Sequence, residues 1–310
     1  MIYNMKNNRK RLKESKRLKG LNGSKESKES KESKVLEESK GLEESKESKG
    51  SKRRDNPLFT IITACQNGEQ FVNTWMSSIL EQKYRPLEVS VCDDASSDRT
   101  VQEIMNTCLP QFKKFDISFS MRVNTRVHHY GGSLASAVVC SKGSFFGVLD
   151  IDDTLTEDAV LSVMKVYDKY PEIGHVYTQF DVYDCDMNFK KHGFSRLPRK
   201  GSNILDEGWS YGEHIYSHFR TFSKRVPEYY NVIQKCRYAV DQYTGMVLEE
   251  RSPGAFLDKV CYKYRAGCPG SISSTLGAQR REFWYKLMEM FLKKRQRKKI
   301  RPFPIIQAEI

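Results

Sequence analysis

The run Asp150-Ile151-Asp152-Asp153 places three carboxylates within four residues, directly after the apolar stretch Phe145-Phe146-Gly147-Val148-Leu149. Carboxylates this close repel one another when ionised, so a fold that collects them supplies a cation or exploits their raised proton affinity. An Asp-x-Asp also serves simply to cap a following helix, and Asp153 or Thr154, ahead of Glu157, fits that plainer role. A second acidic turn, Asp93-Asp94-Ala95-Ser96-Ser97-Asp98-Arg99-Thr100, follows another apolar run. Its carboxylates can accept hydrogen bonds from a nucleobase imide or a ribose hydroxyl. Asp98 is expected to cap a helix beginning near Thr100.

Both clusters need elements that deliver them to one place. Leu58 to Thr63, Leu87 to Cys92, Ile117 to Met121, Phe145 to Leu149 and Val176 to Val182 read as short strands, most of them β-branched or fully apolar. Between them, Phe71, Trp75, Ile79 and Leu80 recur at helical spacing before Pro86. Val101, Ile104 and Met105 then mark a second helix, and Leu134 to Val139 a third. Strands alternating with helices predict an α/β fold with a mainly parallel central sheet covered on both faces. Ligands of such sheets bind beyond the carboxyl ends of the strands, where both acidic clusters fall. Past Gly174 the pattern loosens, with an aromatic, loop-rich stretch over 184–235. A helix is expected over Val240 to Leu248 and a last one over Glu282 to Lys299.

Four segments in this order, Thr60 to Ala64, Val91 to Thr100, Lys142 to Asp153, and Val240-Asp241-Gln242-Tyr243, resemble a family 2 glycosyltransferase of the GT-A fold over about residues 57–275. The resemblance implies an inverting transfer of a hexosyl group from a nucleotide-diphosphate sugar, usually a UDP-sugar, assisted by Mn²⁺ or Mg²⁺. By position it implies Thr63, Asp93, Asp94 and Asp150 at the donor, Asp152 on the metal and Asp241 as catalytic base. The chain departs from the pattern at Val240, where the family has an acid before the base. It departs again at Gly267, where Tyr264-Arg265-Ala266-Gly267 lacks a histidine found near the diphosphate or metal. His218-Phe219-Arg220-Thr221-Phe222 is similar to a segment found near the acceptor side in some members, and a structural role for His218 is equally compatible. The acceptor, whether a glycan, a lipid-linked sugar or a protein, is not legible.

The remaining features bound the alternatives. Of a net charge of +13, eight units belong to the first 55 residues, which read as a disordered charged tail: Ser24 to Lys34 repeats Ser-Lys-Glu with period three, looser copies run on to Lys52, and that period matches neither a helix nor a strand. Residues 56–275 are then the transferase domain and 276–310 an amphipathic basic helix and tail. In the latter, Trp284, Leu287, Met288 and Phe291 precede seven cationic residues between Lys293 and Arg301. That stripe either packs on the domain or docks on an anionic membrane surface as a peripheral contact. No stretch is long and apolar enough to span a membrane, and eight scattered cysteines are expected as reduced thiols of a cytoplasmic protein. Basic ends alone give only non-specific attraction to nucleic acid and leave the acidic turns unexplained. A nucleotidyltransferase would want a Gly-rich basic loop after the first strand, which Ala64-Cys65-Gln66-Asn67-Gly68 hardly provides. A degenerate relative that binds the sugar nucleotide without turnover is the third alternative.

Overall fold

A computed structural model describes residues 56–233, 239–268 and 277–310, the side chains of 277–281 excepted. The expected N-terminal tail lies outside the described residues. The strands are β1 (Phe59–Cys65), β2 (Leu87–Asp93), β3 (Ser118–Val123), β4 (Phe145–Val148), β5 (Thr154–Leu155), β6 (His175–Tyr183), β7 (Phe189–His192), β8 (Thr221–Ser223), β9 (Gly254–Arg265) and β10 (Ile305–Ala308). Between them run α1 (Val72–Leu80), α2 (Thr100–Glu103), α3 (Leu109–Lys114), α4 (His129–Cys140), α5 (Ala159–Lys169), α6 (Ile204–Tyr211), α7 (Val240–Glu249) and α8 (Gly277–Lys298).

The strands form one sheet in the order β10-β9-β6-β8-β4-β1-β2-β3, with β5 on β9 and β7 on β6. β1 pairs in parallel with both β2 and β4, and β6 and β10 both pair in parallel with β9. The short β8 runs antiparallel to β4 and β6 and joins these two parallel groups. The mainly parallel α/β sheet read from the sequence is therefore present. Every residue of β1, β2 and β4 is buried, as strands covered on both faces require. Alternate residues of β1 feed two separate cores: Phe59 and Ile61 one, Ile62 and Ala64 the other. The strand order reverses at β1, between β2 and β4, and the crevice beyond such a switch point is where an open sheet binds ligands.

Local chemistry fixes β4 beside β1. The buried carboxylate of Glu88 accepts from the Thr60 hydroxyl (2.6 Å) and from the amides of Lys142 (2.7 Å) and Gly143 (3.1 Å). Gly143 is required there, since a Cβ would lie 2.2 Å from Thr60 Oγ1. At the other end of β4, the Thr63 hydroxyl donates to the Leu149 carbonyl (2.7 Å).

Of the two readings of the C-terminal stripe, packing on the domain is the one observed, and two further expectations are corrected. The stripe of Trp284, Leu287, Met288 and Phe291 is buried in the second core, so it presents no free apolar face to a membrane. Arg295 and Lys294 beyond it pair with Glu249 and Glu250. Residues 276–310 accordingly belong to the same compact unit, 54–310, and end in β10, which adds a parallel strand to β9. Asp153 and Thr154 do not cap α5: Thr154 enters β5, and the helix starts at Ala159. Finally, Cys185 and Cys268 are joined in a disulfide, while Cys65, Cys92, Cys108, Cys140 and Cys261 are free thiols; Cys236 lies outside the described residues. No described helix is long and apolar enough to cross a membrane.

Candidate active site

The loops after β1 and β2 are stitched into one rim. Asn67 N donates to Ser96 Oγ (2.9 Å), Ser97 N returns a bond to Asn67 Oδ1 (2.8 Å), and Gly68 N reaches Thr100 Oγ1 (2.8 Å). Asp98 accepts from Thr100 N (3.0 Å) and Glu69 N (3.1 Å), joining the two loops ahead of α2, but it is not the expected N-cap: that position is Arg99, with no side-chain cap. Within this rim Asp93 and Asp94 are both buried. Asp93 accepts from the Ser96 amide (3.0 Å) and hydroxyl, and Asp94 from Asn124 Nδ2 (3.0 Å) and the His128 amide (2.8 Å). Both carboxylates therefore anchor the turn. Each has acceptor capacity for roughly four bonds, enough to take a ligand donor as well.

Thr63 is placed differently from the expectation of a donor contact. It is fully buried, its hydroxyl donates to Leu149 and accepts from Trp75 Nε1 (3.3 Å), and its effect is to fix the backbone one residue before Asp150.

The three aspartates after β4 have three environments. Asp150 accepts from the Tyr130 hydroxyl (2.5 Å), and its amide donates to Tyr262 Oη (3.2 Å). Burial raises its proton affinity above the usual carboxylate range, with Asp241 adding to this and Arg220 and Tyr130 opposing it. Asp152 is pushed up to about 6 by burial and by the charge of Asp150, with Arg265 pulling weakly the other way. Asp153 is structural: it accepts from Tyr262 Oη (2.7 Å) and the Arg265 amide (2.6 Å), clasping β9. Burial, then Asp152 and Asp150, push it well above its ordinary value.

Asp241, at the start of α7, accepts from Gln242 Nε2 (2.9 Å) and shares the field of Arg220 with Asp150. Arg220 is 3% exposed, and its carbonyl accepts from the Val148 amide (3.0 Å), which sets it against the end of β4. Burial works against its charge, but Tyr130, Asp150 and Asp241 outweigh that and hold the guanidinium firmly protonated. The sequence-predicted Asp150, Asp152 and Asp241 thus converge. Arg220, Tyr130, Tyr262 and Gln242 are further members that sequence reasoning did not assign, although Arg220 lay inside a segment singled out. His218 stacks on Tyr262 (4.5 Å) and Tyr264 (5.3 Å), and burial and Arg220 keep it neutral.

Among the described residues, no group of three or more His, Cys, Asp or Glu is placed to hold a metal. Gly267 stands at φ +78°, a left-handed conformation that disfavours the histidine expected near there. Asp150 and Asp152 are still a fitting pair for a hard divalent ion, because Mg²⁺-type sites use one or two carboxylates and complete themselves with substrate phosphates.

Acidic turns at the carboxyl ends of β2 and β4, on a sheet of this topology, are the arrangement expected of the GT-A fold. The chain belongs to glycosyl transferase family 2, whose model matches residues 60–229. It is 27% identical over 209 residues to the chondroitin synthase of Escherichia coli, covering 66% of this chain and 28% of that protein. It is 28% identical over 210 residues to the hyaluronan synthase of Pasteurella multocida, covering 66% and 20%. The chain spans less than a third of the length of these curated relatives. Among solved structures, S. aureus TarS 1–349 in complex with UDP-GlcNAc superposes with a TM-score of 0.59 at 17% identity, covering 76% of this chain and 66% of that one. The mannosyltransferase PcManGT from Pyrobaculum calidifontis, in complex with GDP-Man and Mn²⁺, gives 0.53 at 16% identity, covering 77% and 65%. These two likenesses are of fold.

Proposed function

We propose that the protein is an inverting glycosyltransferase that moves a sugar from a UDP-sugar to a hydroxyl of a glycan acceptor with the help of Mn²⁺ or Mg²⁺. The observation that carries this is the gathering of Asp150 and Asp241 in the field of Arg220, with Asp152 beside Asp150, at the switch point of the sheet. Asp152, with Asp150 beside it, would hold the divalent ion, which when bound supplies Lewis-acid neutralisation of the leaving diphosphate. Asp93 and Asp94, on the neighbouring strand end, are suited to the base and ribose. Asp241 takes the proton of the acceptor hydroxyl as that oxygen bonds to the anomeric carbon and the bond to the diphosphate breaks. One displacement from the opposite face inverts the anomeric configuration.

The uridine base is supported by the TarS complexes with UDP-GlcNAc and UDP, and the glycan acceptor by the chondroitin and hyaluronan synthases among the relatives. Incubation with a panel of UDP- and GDP-sugars plus Mn²⁺, following release of free nucleoside diphosphate, tests the donor; preferential use of GDP-sugars overturns the uridine assignment. Asp241→Asn is expected to keep donor affinity and lose transfer by about two to four orders of magnitude. Near-normal turnover in that variant would move the base elsewhere.

A further inference from the structure

Arg220 is a buried cation of this site, and its hydrogen bonding is incomplete. A guanidinium has five N–H donors in a fixed fork. Here Nη2 donates to Tyr130 Oη (3.3 Å), while Nε is buried and meets no acceptor. Asp150 and Asp241 both stabilise its charge, yet among the described residues neither closes an ion pair with it within 4.0 Å. Tyr130 bridges the guanidinium to the donor-side carboxylate, and Asp241 acts on the same charge without pairing with it. A buried charged donor without a partner is rare enough to call for an explanation, and a ligand that supplies the acceptor is the simplest one.

We propose that Arg220 is a specificity-determining residue that donates hydrogen bonds to the transferred sugar ring of the donor, and not to its nucleoside or diphosphate. The placement follows from the neighbours, and the inference rests on the transferase reading above. The ring being transferred has to lie between the carboxylate that holds the donor and the base that activates the acceptor, and Arg220 faces both. Asp150 and Asp241 are among the groups that contribute most to holding the Arg220 charge. Tyr130 fixes the fork: its hydroxyl bridges Nη2 and Asp150, so the guanidinium is aimed before any ligand arrives.

The test is calorimetric, on the full chain with Mn²⁺, comparing UDP with UDP-N-acetylglucosamine, UDP-N-acetylgalactosamine, UDP-glucose and UDP-glucuronic acid. Wild-type protein should bind at least one UDP-sugar more tightly than UDP. In Arg220→Met that preference should fall by about tenfold or more, as expected for a charge-assisted hydrogen bond, while UDP affinity stays within about twofold. Arg220→Lys, which keeps the charge and protects the fold if the Met variant fails to fold, should lose most of the same preference because an ammonium lacks the fork. Equal weakening of UDP and UDP-sugar in either variant overturns the proposal in favour of a diphosphate contact. An unchanged preference, or a wild-type protein that binds UDP and every UDP-sugar alike, overturns it as well. Failure of wild-type protein to bind UDP or any UDP-sugar defeats the UDP-sugar reading and this inference together.

Discussion

His175 opens β6 with its ring fully buried against Gly254, where a Cβ would lie 2.2 Å away, and beside Tyr216 (5.9 Å between centroids). Burial pushes its pKa down to about 3 from the ordinary 6.5, so the folded protein keeps it neutral while the unfolded chain protonates it near 6.5. Stability attributable to this neutral ring is full above pH 6.5 and is lost as pH falls from there toward 3, the range in which the unfolded state binds the extra proton. At about 1.36 kcal/mol per unit, the loss between pH 7 and pH 5 comes to about 2 kcal/mol.

Other groups act in the opposite sense over the same window. Glu249, raised to about 7 by burial against the pull of Arg295, and Asp152, raised to about 6, contribute stability that is present at low pH and lost as pH rises through those values. The wild-type pH profile is therefore a sum, and the His175 share emerges only by difference. His175→Leu, close in volume, removes the titration and leaves the rest. Urea unfolding at pH 7 and pH 5 should show the variant losing about 2 kcal/mol less than wild type on acidification. Identical pH dependence in the two proteins, to within about 0.5 kcal/mol, would refute the argument that this ring is held neutral.

Asp152→Ala should abolish Mn²⁺-dependent binding of UDP and leave the melting temperature nearly unchanged, by calorimetry and thermal melts. Tyr262→Phe removes a hydroxyl that donates to Asp153 and accepts from the Asp150 amide, and should cost about 1.5 to 3 kcal/mol in urea. Arg295→Met strands the buried Glu249 carboxylate and should cost about 3 to 5 kcal/mol.

Much of the N-terminal half was legible because its strands are short, apolar and buried on both faces, so composition alone marks them. β1, β2 and β4 are of this kind, and the acidic turns follow them immediately. β9 was not legible: Asp258, Lys259 and Lys263 interrupt its apolar pattern, and its pairing with β6 shifts register twice around Gln179. β8 is three residues long and β10 four, too short for a periodic signal, yet one joins the two parallel groups and the other completes an edge. The site divides in the same way. Asp150, Asp152 and Asp241 stand in recognisable local strings. Tyr130 and Tyr262 reach them from residues 20 and 112 positions away in sequence from Asp150, so only the folded chain brings them together.

The placement of Asp241, the proposed base, depends on α8. α7 carries Asp241 in its first turn and Glu249 in its last. Glu249 is fully buried, accepts from the amides of Ile204 (2.7 Å) and Leu205 (3.2 Å) at the start of α6, and pairs with Arg295 (2.6 Å) on α8. One carboxylate thereby satisfies the free amides of one helix, holds a cation on a second and fixes the axial position of the helix that bears the proposed base. Removing α8 would leave that carboxylate buried without its cation and would strip Trp284, Leu287, Met288 and Phe291 from the second core. The loss should be comparable to the whole stability of an ordinary domain, since each large apolar side chain contributes about 1.5 to 3 kcal/mol by burial. A chain ending at residue 275 should therefore fail to give a cooperative unfolding transition, whereas a protein that melts normally after that truncation would show that the base is positioned without α8.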